Sequence, residues 1–97
     1  MDFESILKIG GRIFMKIVFE NENRRAVAKI NDLMIGFCKY EEIGSVWNIV
    51  STFVDSNYQG KGIAKELVKV VIKNAKKENK KLISDCSYAK KILEKIT

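Results

Sequence analysis

Val46-Trp47-Asn48-Ile49-Val50-Ser51-Thr52-Phe53-Val54, followed after Asp55 to Tyr58 by Gln59-Gly60-Lys61-Gly62-Ile63-Ala64, is the stretch whose reading decides the fold. The first part is an apolar run of strand length. Behind the glycines, Ile63, Leu67, Val71 and Ala75, together with Ala64, Val68 and Ile72, recur with a spacing of about 3.6 residues, so the order is strand, glycine-rich turn, helix. Glycines one residue apart let the backbone turn tightly and approach a ligand with no Cβ in the way. The amides that open the helix have no intrahelical acceptor. Such a turn suits phosphate.

Spacing separates the glycine-rich phosphate motifs that compete for this segment. A Walker loop requires Ser or Thr after Gly-Lys, and here Gly60-Lys61 is followed by Gly62. A dinucleotide fingerprint would need its third glycine where Lys65 stands, and a βαβ unit that the upstream sequence does not supply. What fits at every defined position is Gln/Arg-x-x-Gly-x-Gly/Ala, satisfied by Gln59, Gly62 and Ala64. This resembles the pyrophosphate-binding turn of the GNAT superfamily of N-acetyltransferases. Thr52-Phe53-Val54-Asp55-Ser56-Asn57-Tyr58 before it, and Lys81-Leu82-Ile83-Ser84-Asp85-Cys86-Ser87-Tyr88-Ala89-Lys90-Lys91 near the end, look like the smallest single-domain members, over roughly residues 14 to 95.

The resemblance implies an α/β (α+β) domain with a mixed, mostly antiparallel sheet of about five strands. A central helix would follow the phosphate turn, and a short helix would end the chain. It implies acetyl-CoA as acyl donor, with pyrophosphate held by the backbone of Gln59, Gly60, Lys61, Gly62, Ile63 and Ala64. The pantetheine arm would pair with backbone groups of Phe53 and Val54.

Pattern along the chain agrees. Ile13 to Phe19, Arg24 to Ile30 and Leu33 to Tyr40 read as antiparallel strands, the last two joined by a tight Asn31-Asp32 turn. Gly44-Ser45 turns the chain into Val46 to Val54, whose faces are both largely apolar, as in a central strand. The helix ends near Asn79, Leu82 to Asp85 is a fifth strand, and Tyr88 to Lys95 a last helix. Met1 to Gly11 suits a short amphipathic turn closed by glycine, and residues 1–12 read as an N-terminal extension to a single domain spanning 1–97. Only Asn21 to Asn23 and their neighbours separate Phe19 from Arg24. Larger GNAT enzymes place helices there to shape the acceptor site, so the acceptor pocket is expected to be open or completed by another chain.

The chain has 97 residues, 46% hydrophobic and 31% charged, which is ordinary for a globular domain that buries about two thirds of its unfolded surface. A homodimer is compatible with that size. The longest apolar runs fall short of a membrane span, and Asp2 and Glu4 spoil the basic start of a signal peptide, so a cytoplasmic location is expected. Cys38 and Cys86 make no disulfide framework and should be thiols. The net charge of +6 favours a polyanionic partner such as coenzyme A. RNA would also qualify by charge, but the aromatics do not interleave with the lysines as a stacking platform requires. Lys65, Lys69 and Lys73 recur on what should be the wet face of the helix. No metal-ligand pattern occurs.

Acetyl transfer to an amine needs a polarised thioester carbonyl, a deprotonated amine and a stabilised leaving thiolate. Two side chains stand out as catalytic candidates. Cys86 lies at a strand end just before a helix, where amides and dipole favour a thiolate, and by resemblance it faces the thioester, so an acetyl-cysteine intermediate is one reading and a small buried thiol the other. Tyr88, by resemblance, is placed to protonate the leaving thiolate, or else fills the seam between helix and sheet. The chain has no histidine to serve as base, and Ser51 stands where several small relatives carry one. Glu41, Glu42, Asp55 and Asp85 are the carboxylates nearest the mouth. Trp47 and Cys38 read as core. The expected function is therefore acetyl-CoA-dependent N-acetylation of a small-molecule or peptide amine, the alternative being a non-catalytic acyl-CoA-binding or interaction module.

Overall fold

The structure, a computed structural model, describes residues 3–9 and 13–96, with side chains for residues 15–87 and 89–94. In chain order the elements are β1 (Phe3–Ile9), β2 (Ile13–Glu20), β3 (Arg25–Ile30), β4 (Leu33–Ile43), β5 (Val46–Val54), α1 (Ile63–Lys77), β6 (Lys81–Ser84) and α2 (Ser87–Ile96). The strands form one mixed sheet in the order β1-β2-β3-β4-β5-β6, antiparallel throughout except for the parallel pair β5–β6. That exception follows from α1, whose crossover returns the chain to the end of the sheet where β5 began.

The α/β architecture expected from the resemblance is what the chain adopts, with one correction. Phe3–Ile9 is not an amphipathic turn but a sixth strand, paired with β2 from Phe3↔Phe19 to Ile9↔Ile13. Seven residues of backbone gain ladder partners by this pairing, which a local reading of the sequence does not see.

The turns explain the strand limits. Asn31 and Asp32 both take positive φ, 51° and 67°, as a primed two-residue hairpin requires, and they join β3 to β4. At its C-terminus α1 stops sharply: Asn79 has φ 57°, Lys80 N–H donates to Ala75 O at 2.8 Å and Asn79 N–H to Lys76 O at 3.1 Å. This paired arrangement is a Schellman stop. It delivers the chain into β6, where Lys81 N–H donates to Ser45 O at 2.9 Å.

One face of the sheet carries both helices. Met15, Ile17 and Phe19 of β2, Ala26, Ala28 and Ile30 of β3, Cys38 and Tyr40 of β4, and Trp47 and Ile49 of β5 are buried there. They pack against Ile63, Leu67, Val68, Val71, Ile72 and Ala75 of α1 and Ala89 and Ile92 of α2. Burying each large aliphatic side chain of α1 contributes about 1.5–3 kcal/mol, which is what holds the helix over the sheet. At the end of β5 away from Val54, Tyr40 stacks on Trp47 with ring centroids 4.1 Å apart, and Phe19 flanks both at 6.0 Å.

The other face has no helix among the described residues. Only the single turn Asn21–Asn23 connects β2 to β3, as the short spacing there implied. Register lines up Val18, Val27, Phe37 and Phe53 across this face, and the Phe37 and Phe53 rings meet at 5.6 Å. No helix among the described residues is long and apolar enough to cross a membrane.

Candidate functional site

The site begins where β5 and β6 part. β6 pairs with β5 only from Val46↔Lys81 to Ile49↔Ser84, whereas β5 runs on to Val54. Ile49 O closes the fork by accepting from Asp85 N–H at 3.0 Å, Cys86 N–H at 3.3 Å and Ser84 Oγ at 3.1 Å. Beyond it β5 keeps a strand partner only on the β4 side among the described residues. Asp55 N–H donates to Ile35 O at 2.7 Å, which sets the alternation: Phe53 bonds into the β4 ladder opposite Phe37, and Thr52 and Val54 turn their backbone groups into the gap.

The turn that follows is built in steps. The Asp55 carboxylate accepts from Asn57 N–H at 2.9 Å and caps the single turn Ser56–Tyr58. Gln59 Nε2 donates to Val54 O at 3.1 Å, tying the turn to the strand end and leaving the Val54 N–H as that residue's group open to the gap. Gly60 and Gly62 each have φ 80°, and a Cβ at either would meet nothing within 4 Å. Glycine is therefore required by backbone conformation, not by crowding from the protein. Gly62 is the N-cap of α1 and offers no side chain to its opening amides, while its carbonyl accepts from Glu66 N–H at 3.2 Å.

A cavity of about 540 Å³ lies on the helix-bearing face between these parts. Thr52 and Val54 form its strand wall, Tyr58, Gln59, Gly60 and Gly62 its turn, and Ile63 and Ala64 the helix start. A donor-rich helix start at one end and a strand edge with an open amide along one wall suit an elongated ligand carrying phosphate and amide groups. No group of three or more His, Cys, Asp or Glu side chains that could hold a metal ion occurs among the described residues.

Cys86 stands beside this cavity. Its carbonyl accepts from Lys90 N–H at 2.9 Å, so it is the capping residue of α2, and its amide is held by Ser84 Oγ at 3.0 Å. Its thiol is half-buried and donates to Thr52 Oγ1 at 3.7 Å, and the Thr52 hydroxyl donates in turn to Cys38 Sγ at 3.7 Å. Cys38 is wholly buried, and burial pushes its thiol up to about 12, with the Thr52 hydroxyl pulling weakly the other way. A thiol so placed stays protonated at neutral pH.

The structure thus brings Val54, Gln59, Gly60, Gly62, Ile63 and Ala64 together around one cavity, with Cys86 one hydroxyl away from it. Lys61 is exposed on the turn. Phe53 is set apart: its ring lies on the helix-free face against Phe37, 47% exposed, and its backbone is committed to β4. Tyr88 lies in the first turn of α2, and its side chain is outside the described residues. Thr52 and Tyr58 line the cavity without having been singled out from the sequence. Counting by twos from Val54 would have put Thr52 on the same face.

Comparison with known proteins agrees with this geometry. Residues 25–97 match the model of the GCN5-related N-acetyl-transferase family. No curated protein matches the chain in sequence. Among solved structures, a GCN5-like putative N-acetyltransferase from Staphylococcus aureus shares 29% identity at a TM-score of 0.61, over 75% of this chain and 74% of that one. A ribosomal-protein-alanine N-acetyltransferase from Brucella melitensis is 21% identical with a TM-score of 0.62, over 75% of this chain and 59% of its own. A GCN5-related N-acetyltransferase from Sphaerobacter thermophilus is 22% identical with a TM-score of 0.58, and there 62% of this chain covers 20% of the neighbour. This chain accordingly spans less than two thirds of the Brucella protein and about a fifth of the Sphaerobacter protein, and the likeness to both is one of fold. With the family model covering the chain from the start of β3 to its end, the chain belongs to the GCN5-related N-acetyltransferase family.

Proposed function

We propose that this chain binds acetyl-CoA and transfers the acetyl group to an amine. The observation that carries the reading is the joining of three features in one cavity: the αL glycines Gly60 and Gly62, the uncapped start of α1, and the Val54 amide on the open edge of β5. The pyrophosphate would rest on the amides that open α1, where the helix dipole favours negative charge. The pantetheine arm would run along β5. A structural neighbour, an aminoglycoside N-acetyltransferase 19% identical over 82% of this chain and 55% of its own, with a TM-score of 0.55, was solved with CoA.

At the fork the thioester would come beside Cys86 and the Val54 N–H. That amide is a donor for the carbonyl oxygen as negative charge grows on it. Cys86 can enter the reaction as a nucleophile: its thiol proton passes to solvent, its sulfur bonds to the acetyl carbon, the CoA thiolate leaves with the electron pair of the broken thioester and takes up a proton from solvent, and the amine then displaces the Cys86 sulfur from the acetyl group, regenerating the Cys86 thiolate. Direct attack by the amine on the thioester uses the same binding geometry and leaves Cys86 as a neighbour. The chain has no histidine, so the proton lost from the amine would pass to solvent or to another side chain.

The test is incubation with acetyl-CoA and a panel of primary amines and lysine-bearing peptides, scoring CoA thiol release and product mass. Acetylated amine is the expected product. A mass gain of one acetyl group on Cys86, discharged by added amine, selects the two-step route. CoA binding with no acetylated product from any acceptor would instead make the chain an acyl-CoA-binding module.

A further inference from the structure

Asn48 is the buried polar side chain of the core strand, 6% exposed, and its hydrogen bonds are half made. Nδ2 donates to Asp85 Oδ2 at 2.8 Å, while Oδ1 is buried with no partner among the described residues. Reversing the amide would set oxygen against carboxylate, so the donor assignment is the one the pair requires. A buried acceptor without a donor is costly and calls for an explanation, such as a bound water, an ion or a ligand.

The position of this pair is informative. Trp47 and Ile49 point into the helix-bearing core, so Asn48 between them points to the helix-free face. Its register neighbours are Glu41 on β4 and Ile83 on β6, both exposed. Asp85 is the residue after β6 and its amide bonds to Ile49 O, the atom that closes the fork. Asn48 and Asp85 therefore sit at the crotch of the fork on the face opposite the acyl-donor cavity, and Asp85 is the chain neighbour of Cys86. A nucleophile must approach the thioester carbon from a side that the donor does not occupy. With the donor on the helix-bearing face, the free approach is through the fork from the helix-free face.

We infer that Asp85 and Asn48 form the head-group subsite for the acyl acceptor and that they select a primary amine. A protonated amine has only N–H donors to offer, and the pair holds two acceptors for it, the exposed Asp85 carboxylate and the Asn48 Oδ1. A carboxylate or phosphate head group would be repelled. The inference rests on the acetyltransferase reading for its purpose, but its binding claim stands apart from turnover.

The experiment follows the Asn48 side-chain amide by NMR in the ¹⁵N-labelled protein, its signal assigned by its loss in Asn48→Asp. The probes are butylamine at neutral pH and butan-1-ol as the uncharged analogue of the same shape. Butylamine should move the Asn48 signal saturably, butan-1-ol should not, and Asp85→Asn should abolish the response. In the same Asp85→Asn protein, the rise in melting temperature caused by CoA should persist, and any acetyl transfer should show KM for the amine raised about tenfold or more with kcat less affected, the scale of one lost charge-assisted hydrogen bond. An unmoved Asn48 signal in the wild type, or an equal response in Asp85→Asn, overturns the subsite. A protein that responds to butylamine but whose melting ignores CoA would retain the subsite and refute the acyl-donor reading instead.

Discussion

The thiol of Cys86 lies 3.7 Å from Thr52 Oγ1, joining the start of α2 to the open edge of β5 across the fork. The same hydroxyl contacts Cys38 Sγ at 3.7 Å, so a single threonine separates a wholly buried thiol from a half-buried one. Their chemistry should differ accordingly. Alkylation of the native protein with iodoacetamide is expected to label Cys86 first, with Cys38 protected by burial and by a thiol pushed up to about 12. CoA should slow labelling of Cys86. Faster reaction at Cys38 in peptide mapping would contradict the placement of both.

Gly62 caps α1 at φ 80°. Because a Cβ there meets no atom within 4 Å, Gly62→Ala tests conformation alone and should lower stability by about 1–2 kcal/mol, read from urea midpoints. Gly62→Val should cost more, since a β-branched residue tolerates positive φ still less. An Ala variant as stable as the parent would show that the turn relaxes freely.

Gly36 is a glycine for a different reason. A Cβ at this position would stand 2.7 Å from Phe53 O and 3.3 Å from Leu67 Cδ1, between β5 and α1. Gly36→Ala should therefore destabilise by about 1–3 kcal/mol through overpacking, despite alanine's milder backbone demands. Unchanged thermal stability would mean that β4 and β5 can shift to admit a methyl group.

Much of this arrangement was legible in the sequence because its signals are local. The run Val46 to Val54 was delimited to the residue, and the Gln59 to Ala64 spacing located the turn and the start of α1. β1 was not legible as a strand. In Phe3–Ile9, adjacent Ile6 and Leu7 blur the alternation, and what settles the strand is pairing with β2. The register shifts at Ala28/Lys29 and Lys39/Tyr40 leave no composition signal either, yet they set which face each later side chain takes. The Thr52–Cys86 and Asn48–Asp85 contacts join residues more than thirty positions apart, and only the folded sheet brings them together.

Stability should fall in alkali, and the sign follows from the core. Cys38 is pushed up to about 12 by burial, and Tyr40 also to about 12 by burial together with the nearby Glu78 and Glu42 carboxylates. The unfolded chain gives up these protons near pH 8.5 and pH 10, so above those values it binds fewer protons than the native state and stability declines as pH rises toward 12. Below about pH 8 the contribution is fully present. The unfolding free energy from urea titrations should drop between about pH 8 and pH 10.5 by on the order of 3 kcal/mol. Tyr40→Phe should flatten the upper part of the curve at little cost near neutrality, since the Tyr40 hydroxyl is buried without a partner. A flat profile to pH 10.5 would show that the core opens to release these protons.

The central claim is that the turn from Gln59 to Ala64 holds an acyl-CoA donor, and titration of CoA against thermal melting tests it most directly. A ligand that binds only the folded state stabilises it by about 2.7 kcal/mol at a hundredfold excess over its Kd. The expected result is a melting temperature that climbs with CoA concentration in the parent chain, with a much weaker climb in Gly62→Val at matched folding. Melting that does not move at millimolar CoA, or that moves equally in Gly62→Val, would contradict the claim.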